Sequence, residues 1–294
     1  MFMDIRTLRY FLAVAREENI TRAAHFLHIA QPSLSVQLME LEQEIGKKLM
    51  IRGKRKITLT DEGVLLRKRA EEILSLVEKT ERELTSDDEI INGDISIGSG
   101  ETEAMGFIIT VAKELSLDFP NIRYNLYSGD ADAIMEKIDK GILDFGIVME
   151  PIDSTKYESL SLHVTDVWGL LMKKSCPLSS KNSISAKDLK NIPLIIPKRD
   201  GIQKDLSNWL ENNFEDLNIV ATYNIIYTAS LMVKKDFGYA ITLDKLIDTS
   251  ESSELCFKPF SPKINANLCI IWKKYQIFSK ANEKFIEKLK EKVS

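Results

Sequence analysis

The chain is 294 residues long, 44% hydrophobic and 29% charged, with a formal net charge of −4. That length supports two or three domains with cores of their own, and the composition excludes a disordered, collagen-like or disulfide-stapled chain. The mild acidity hides an asymmetry: residues 1–60 hold ten Lys and Arg against six Asp and Glu, an excess of four positive charges, which leaves −8 for the remainder. A basic head on an acidic body is the charge pattern of a nucleic-acid module joined to something else. Cys176, Cys256 and Cys269 form no CxxC pair and have no nearby histidine. An odd count without a framework argues for a reducing compartment and against a structural metal. The opening MFMDIRTLRY lacks the apolar run of an export signal, and no stretch is apolar for long enough to cross a bilayer, so a cytoplasmic protein without membrane contact is expected.

In chain order, DIRTLRYFLAVAREENI places Ile5, Leu8, Phe11, Leu12 and Ala15 on one face of an amphipathic helix. TRAAHFLHIAQPSLSVQLMELEQE follows, from Thr21 to Glu44, and reads as a short helix, a tight turn and a longer helix. Ala23, Ala24 and Leu27 can sit against a neighbour, and His25 and His28 are expected along the short helix. In the longer helix Leu34, Leu38, Leu41 and Ile45 recur at helical spacing as one apolar stripe, and Pro32 suits its first turn. Gln31, Ser33, Ser35, Val36 and Gln37 remain on the outward face near its start. A helix exposing short polar groups at its N-terminal end, propped by a helix before it, has the geometry that reads a major groove. A small helical cap with a solvated face has the same pattern. The flanks favour the first reading. Gly46 stops the helix, and the strand-like pieces Lys48–Ile51 and Ile57–Leu59 bracket Arg52, Gly53, Lys54, Arg55 and Lys56 as a basic hairpin tip, a wing suited to backbone contacts beside the groove.

LRYFLAVAREENITRAAHFLHIAQPSLSVQLMELEQEIGKKLMIR with ITLTDEG resembles, without a gap, the N-terminal domain of LysR-type transcriptional regulators. The resemblance covers the whole chain and is weaker after residue 90. It implies a DNA-binding set of Thr21, Arg22, Gln31, Pro32, Ser33, Ser35, Val36, Gln37, Arg52, Lys54 and Arg55. The implied partners are double-stranded operator DNA, a small-molecule effector and RNA polymerase, for a homodimer or homotetramer without a cofactor. Two positions depart from the family. Ala30 stands where Ser or Thr usually caps the recognition helix; a lost cap costs about 0.5–2 kcal/mol, and Ser33 or a neighbouring group is expected to compensate. Val36 stands where the family often has Arg; it cannot pair with guanine but can touch a thymine methyl.

From Asp61 to about Asp88 there is no proline, and Leu66, Ala70, Ile73, Val77 and Leu84 form an a/d-like seam interrupted at Thr80, among charged faces. A narrow seam on a long helix calls for a second copy, with a helix lying on its own domain as the alternative. The resemblance makes this the dimerising linker helix, with Leu66, Ile73, Val77 and Leu84 at the interface.

Past Asn92–Gly93 the period changes. Strands at Asp94–Gly98, Ile122–Tyr127 and Leu143–Met149 alternate with helices at Glu103–Phe119 and Ala131–Lys140, which implies a parallel sheet. A second round follows: strand Val167–Met172, short helix Lys187–Lys190, strand Leu194–Ile196, helix Gly201–Asn213, strand Ile219–Ile225, helix Ala229–Asp236 and strand Tyr239–Leu243. The chain returns through Ala266–Trp272 and closes with helix Ser279–Lys292. Two α/β lobes with crossings near Leu160–Val164 and Lys263–Asn267 resemble the type-2 periplasmic-binding-protein fold that the family uses to sense effectors. The expected chain is therefore α+β overall: a winged helix-turn-helix over 1–60, a linker helix over 61–89 and a two-lobed α/β regulatory domain over 90–294. Lobe 1 takes about 90–161 and 267–294, and lobe 2 about 162–266.

Gly98-Ser99-Gly100 follows a strand, but the third glycine of a dinucleotide fingerprint is missing; there is no P-loop, GxSxG or HExxH, so no enzyme is expected. Ligands of open α/β sheets sit beyond the carboxyl ends of the strands, beside helix N-termini. The residues there are Ser99, Gly100, Glu101, Thr102, Ser128, Gly129, Met149, Glu150, Pro197, Lys198, Tyr227 and Thr228, which the resemblance sets around the cleft between lobes. Ser99, Gly100, Glu101, Thr102, Ser128, Met149, Pro197, Lys198 and Thr228 are the nine expected to bind the effector, and the Ser and Thr among them serve equally well as helix caps. Helix N-termini and Lys198 favour a small carboxylate, whereas Glu101 and Glu103, where the family often has uncharged residues, push the other way. Trp168, Trp209 and Trp272 read as lobe core. The alternative to a regulator is a cytosolic solute-binding module that does not bind DNA.

Overall fold

In the computed structural model, which describes residues 3–53, 56–85, 91–198, 206–210 and 214–293, the chain divides into two compact units, Met1–Ser86 and Asp87–Ser294. The first unit is a winged helix-turn-helix. Helices α1 (Ile5–Glu17), α2 (Ile20–Phe26) and α3 (Gln31–Ile45) lead into the antiparallel pair β1 (Met50–Arg52) and β2 (Ile57–Leu59), then into α4 (Asp61–Thr85). Asp4 caps α1 by accepting from Thr7 N at 2.7 Å, and Asn19 caps α2 by accepting from Arg22 N at 3.0 Å. At α3 the expected compensation is not made. Ala30 is extended and offers no side-chain cap, and Ser33 makes no hydrogen bond among the described residues. The amides of that first turn are left open.

Leu34, Leu38 and Leu41 of α3 pack with Phe11, Val14, Ala23 and Ala24 in one small core. Ile45 departs from the expected stripe and is 40% exposed, because α3 ends there and Gly46 turns the chain away at φ 71. The buried face of α1 also shifts, taking Thr7, Ala13 and Val14, while Ile5 is exposed and Leu12 and Ala15 are only partly covered. His28 is not helical; it sits in the turn at φ 55. A side chain at Gly63, in the first turn of α4, would meet the Leu49 carbonyl oxygen at 2.0 Å, so only glycine lets α4 approach the wing this closely.

The second unit holds one sheet, nine-stranded among the described residues, with its strands in the order Ile122–Ser128, Gly93–Ser99, Phe145–Met149, Asn265–Lys273, Tyr157–Lys173, Tyr239–Leu243, Leu194–Pro197 and Ile219–Tyr223, and with Leu255–Pro259 on Tyr157–Lys173. Its first lobe runs β3 (Gly93–Ser99), α5 (Ala104–Asp118), β4 (Ile122–Ser128), α6 (Ala131–Asp139) and β5 (Phe145–Met149). Both helix crossovers join parallel strands. The second lobe holds β7 (Leu194–Pro197), β8 (Ile219–Tyr223), α7 (Ile226–Lys234), β9 (Tyr239–Leu243) and β10 (Leu255–Pro259). The expected helix Gly201–Asn213 falls largely outside the described residues; 206–209 are helical. The expected punctuation at Ser86-Asp87-Asp88 also lies outside them.

β6 (Tyr157–Lys173) and β11 (Asn265–Lys273) run antiparallel through both lobes, and α8 (Lys280–Val293) closes on the first. β6 is thus one 17-residue strand rather than a crossing followed by a strand. Its pairing with β11 breaks between Asn267 and Cys269, opposite His163, which takes φ 51. Sequence reasoning missed β10, whose Pro259 lies opposite Gly169 of β6; a side chain at Gly169 would meet the Lys258 carbonyl oxygen at 2.3 Å.

Each lobe is a three-layer sandwich. In the first, Ile95, Ile97, Phe145 and Ile270 face α5 and α8, whereas Val148, Cys269 and Ile271 face Ile134 and Ile138 of α6. In the second, Leu171, Ile195 and Ala240 pack on Ala229 and Val233 of α7, with Trp168, Leu170 and Ile241 on the opposite face.

Candidate functional site

On the first unit, the open start of α3 carries Gln31, Pro32 and Ser33 exposed and Val36 46% exposed, with Ser35 and Gln37 half-buried beside them. These residues share one face because the opposite one is committed to the core. Gln37 Nε2 donates to Glu40 Oε2 at 3.0 Å, which orients the amide without burying it. Arg52, at the end of β1, donates from Nη2 to Ser35 Oγ at 3.2 Å, so the base of the wing and α3 form one continuous surface. Lys54 and Arg55 of the tip lie outside the described residues. Thr21 and Arg22 open α2 and are exposed, but the Arg22 guanidinium donates to the Glu17 carbonyl, bending it back over the end of α1.

One residue of this unit escaped sequence reasoning. Glu42, 8% exposed on α3, accepts at Oε1 from Leu49 N at 2.9 Å and Met50 N at 3.1 Å, and at Oε2 from Lys48 Nζ at 2.7 Å. It fixes where the wing leaves the helix. Burial pushes its carboxyl up, but the Lys48 ammonium and the two amides outweigh that and hold it below its ordinary value.

Of the interface residues expected on α4, Leu66 is half-buried against the winged core, Ile73 and Val77 are half-buried, and Leu84 is 81% exposed. Ala70 of the seam is fully buried. Val64, Leu65 and Leu76 add exposed apolar surface that the seam did not include.

On the second unit, a cavity of about 430 Å³ opens between the lobes, a size suited to a small metabolite. The first lobe contributes Gly100 and Glu101 after β3, Tyr127 and Ser128 at the end of β4, and Gly129 and Asp130 just beyond it. From the second come Pro197 and Lys198 after β7, the stretch Tyr223–Ile226 leading into α7, and Thr242 and Leu243 at the end of β9. Trp168, 3% exposed, is lobe core and cavity wall at once. Trp209 and Trp272 are only partly buried, packed against the lobe cores from outside, the first donating to the Pro262 carbonyl at 2.8 Å and the second edge-on to Phe145.

Five of the nine expected residues, Gly100, Glu101, Ser128, Pro197 and Lys198, line this cavity. The other four are not in its lining. Ser99 is buried with its hydroxyl on the Gly100 carbonyl, and Met149 packs against the cores of both lobes. Thr228 lies in the first turn of α7, because that helix begins at Ile226 rather than at Ala229. Thr102 accepts from Ala104 N at 3.1 Å and donates to Asp166 Oδ2 at 2.5 Å. Asp166 is fully buried, its Oδ1 has no partner among the described residues, and burial pushes its carboxyl up.

Glu101 does not face solvent at its own helix. Its Oε2 accepts from Ile226 N at 2.8 Å, so a carboxylate of the first lobe sits on the N-terminus of α7 in the second. Asp130 does the same for α6 within its lobe, accepting from Ala133 N at 2.8 Å. The first joins residues 125 positions apart and has no sequence signal, whereas the second is a local Asp cap of the kind a sequence does signal.

Residues 5–64 match the family described as bacterial regulatory helix-turn-helix protein, lysR family, and residues 89–294 match the LysR substrate binding domain. The chain is 31% identical over 244 residues to the HTH-type transcriptional regulator BsdA of Bacillus subtilis (strain 168), covering 81% of this chain and 83% of that one. It is 29% identical over 281 residues to the Hca operon transcriptional activator HcaR of Escherichia coli (strain K12), covering 92% of each. Among solved structures, CbnR, a LysR family transcriptional regulator, aligns over 99% of this chain and 100% of its own with a TM-score of 0.78 at 17% identity. Full-length CbnR complexed with its target DNA aligns with a TM-score of 0.77 at 18% identity, over 99% of this chain and 100% of that one.

Proposed function

The chain belongs to the LysR family of bacterial transcriptional regulators, DNA-binding proteins with an effector-binding domain, and from that premise we propose which residues do each task. α3 enters the major groove with Gln31, Ser33 and Val36 against base edges and Pro32, Ser35 and Gln37 beside them. Arg52, Lys54 and Arg55 of the wing, with Thr21 and Arg22 of α2, meet phosphate. The observation that carries this reading is the two-faced α3: Leu34, Leu38 and Leu41 are buried, while Gln31, Ser33 and Val36 are exposed next to Arg52. Two heads are joined through α4 in a homodimer or homotetramer, since one recognition helix reads too few base pairs to select a site. A small-molecule effector binds in the inter-lobe cavity and biases the DNA heads, a coupling of about 1–3 kcal/mol. The protein works in the cytoplasm beside RNA polymerase.

Gel shift on the DNA upstream of its own reading frame, with competitor duplex and a salt series, tests the assignment. Gln31→Ala should relax sequence preference, whereas Arg52→Ala should weaken every duplex alike and flatten the salt slope by about one. Sequence preference that survives Gln31→Ala refutes the readout assignment. Indifference of the wild type to all duplexes at low salt leaves the second unit a plain solute-binding module.

A further inference from the structure

Two helices begin at the inter-lobe cavity, and both N-termini are already answered by carboxylates of the chain: Glu101 on α7 and Asp130 on α6. One first-turn amide of α7, that of Ile226, is therefore already taken by a carboxylate. Among the described lining residues the charged side chains are Lys198 and the carboxylates Glu101 and Asp130, with the Lys137 ammonium over the Tyr127 ring beside them. Glu101 is held in place rather than draped there, because the hydroxyl of its neighbour Thr102 is fixed between Asp166 Oδ2 at 2.5 Å and Ala104 N at 3.1 Å. Its second oxygen, Oε1, makes no hydrogen bond among the described residues and can accept from a ligand. Tyr127 and Trp168 supply aromatic wall, and Lys198 stands on the opposite lobe.

We infer that the effector carries an ammonium group, as a small primary amine or an amino acid, and that Glu101, seated on α7, is its counter-ion. This rests on the cavity being the effector site. Where the ligand is an amino acid, its carboxylate pairs with Lys198.

The test is thermal melting of the full-length protein with amine and acid probes of matched skeleton, benzylamine against benzoate and 1,4-diaminobutane against succinate, together with the individual L-amino acids. An amine or amino acid should raise the melting temperature where the matched carboxylate does not. Glu101→Gln keeps an oxygen for Ile226 N–H and should therefore fold, but should weaken that binding about 10-fold or more, the scale of one charge-assisted hydrogen bond. Ser128→Trp, which fills the cavity, separates the two levels of the argument. Stabilisation by a carboxylate that Ser128→Trp abolishes overturns the ammonium assignment and leaves the site standing. Stabilisation that survives Ser128→Trp overturns the site itself. An amine response untouched by Glu101→Gln, or no response to any amine or amino acid, also overturns the inference.

Discussion

Cutting Glu42 back to alanine tests how the recognition helix is tied to the wing. The carboxylate is 8% exposed and serves the amides of Leu49 and Met50 at 2.9 and 3.1 Å. Without it both buried N–H groups lose their acceptor, at about 1–3 kcal/mol each, so Glu42→Ala should destabilise the winged unit by about 2–6 kcal/mol. The Lys48 ammonium matters less: its side chain is 76% exposed, and Lys48→Ala should cost under about 1 kcal/mol. Glu42→Gln should fall between, because its amide oxygen still accepts but the charge that strengthens both bonds is gone. The native carboxyl lies below the ordinary 4.5, so its support is fully present above that pH and fades as pH falls through the native value. The gap between wild type and Glu42→Gln should accordingly close in acid, below about pH 4.5. Trp168, Trp209 and Trp272 all lie in the other unit, so tryptophan fluorescence does not report this unfolding. Hydrogen exchange at the Leu49 and Met50 amides, with far-UV circular dichroism melts, does. Unchanged protection of those two amides in Glu42→Ala, with a loss under about 1 kcal/mol, refutes the reasoning.

Two further outcomes follow from burial and exposure. Ile73→Asp or Val77→Asp, at half-buried positions on the long α4 helix, should give monomers in sedimentation and weaken operator binding; undiminished dimers place the interface elsewhere. Burial pushes the fully buried Cys269 thiol up to about 12, so iodoacetamide at pH 8 should modify at most Cys176 and Cys256, and rapid labelling of Cys269 by mass spectrometry contradicts its packing.

Much of the fold was legible because it is local. The leucine spacing of α3, Pro32 in its first turn, Gly46 as its stop and the strand–helix alternation after Asn92 are all read within one element or between neighbours. What escaped depends on partners distant in sequence. Glu42 reads as one more solvated helix carboxylate until the wing returns its amides seven and eight residues on. β10 was hidden by its proline, tolerated because the strand pairs only with β6 among the described strands. The cavity was half legible for a similar reason. Strand ends located Gly100, Glu101, Ser128, Pro197 and Lys198, but starting α7 three residues late singled out Thr228 and lost Asn224, Ile225 and Ile226. The Glu101 clasp on Ile226 has no local signature.

The break in pairing opposite His163 limits how the regulatory unit can move. Because β6 and β11 stay hydrogen-bonded to each other on both sides of it, the lobes cannot slide apart or swing on a slack tether. The three residues 162–164, facing Leu268, are where the two strands lose register, so any reorientation of the lobes is expected to centre there.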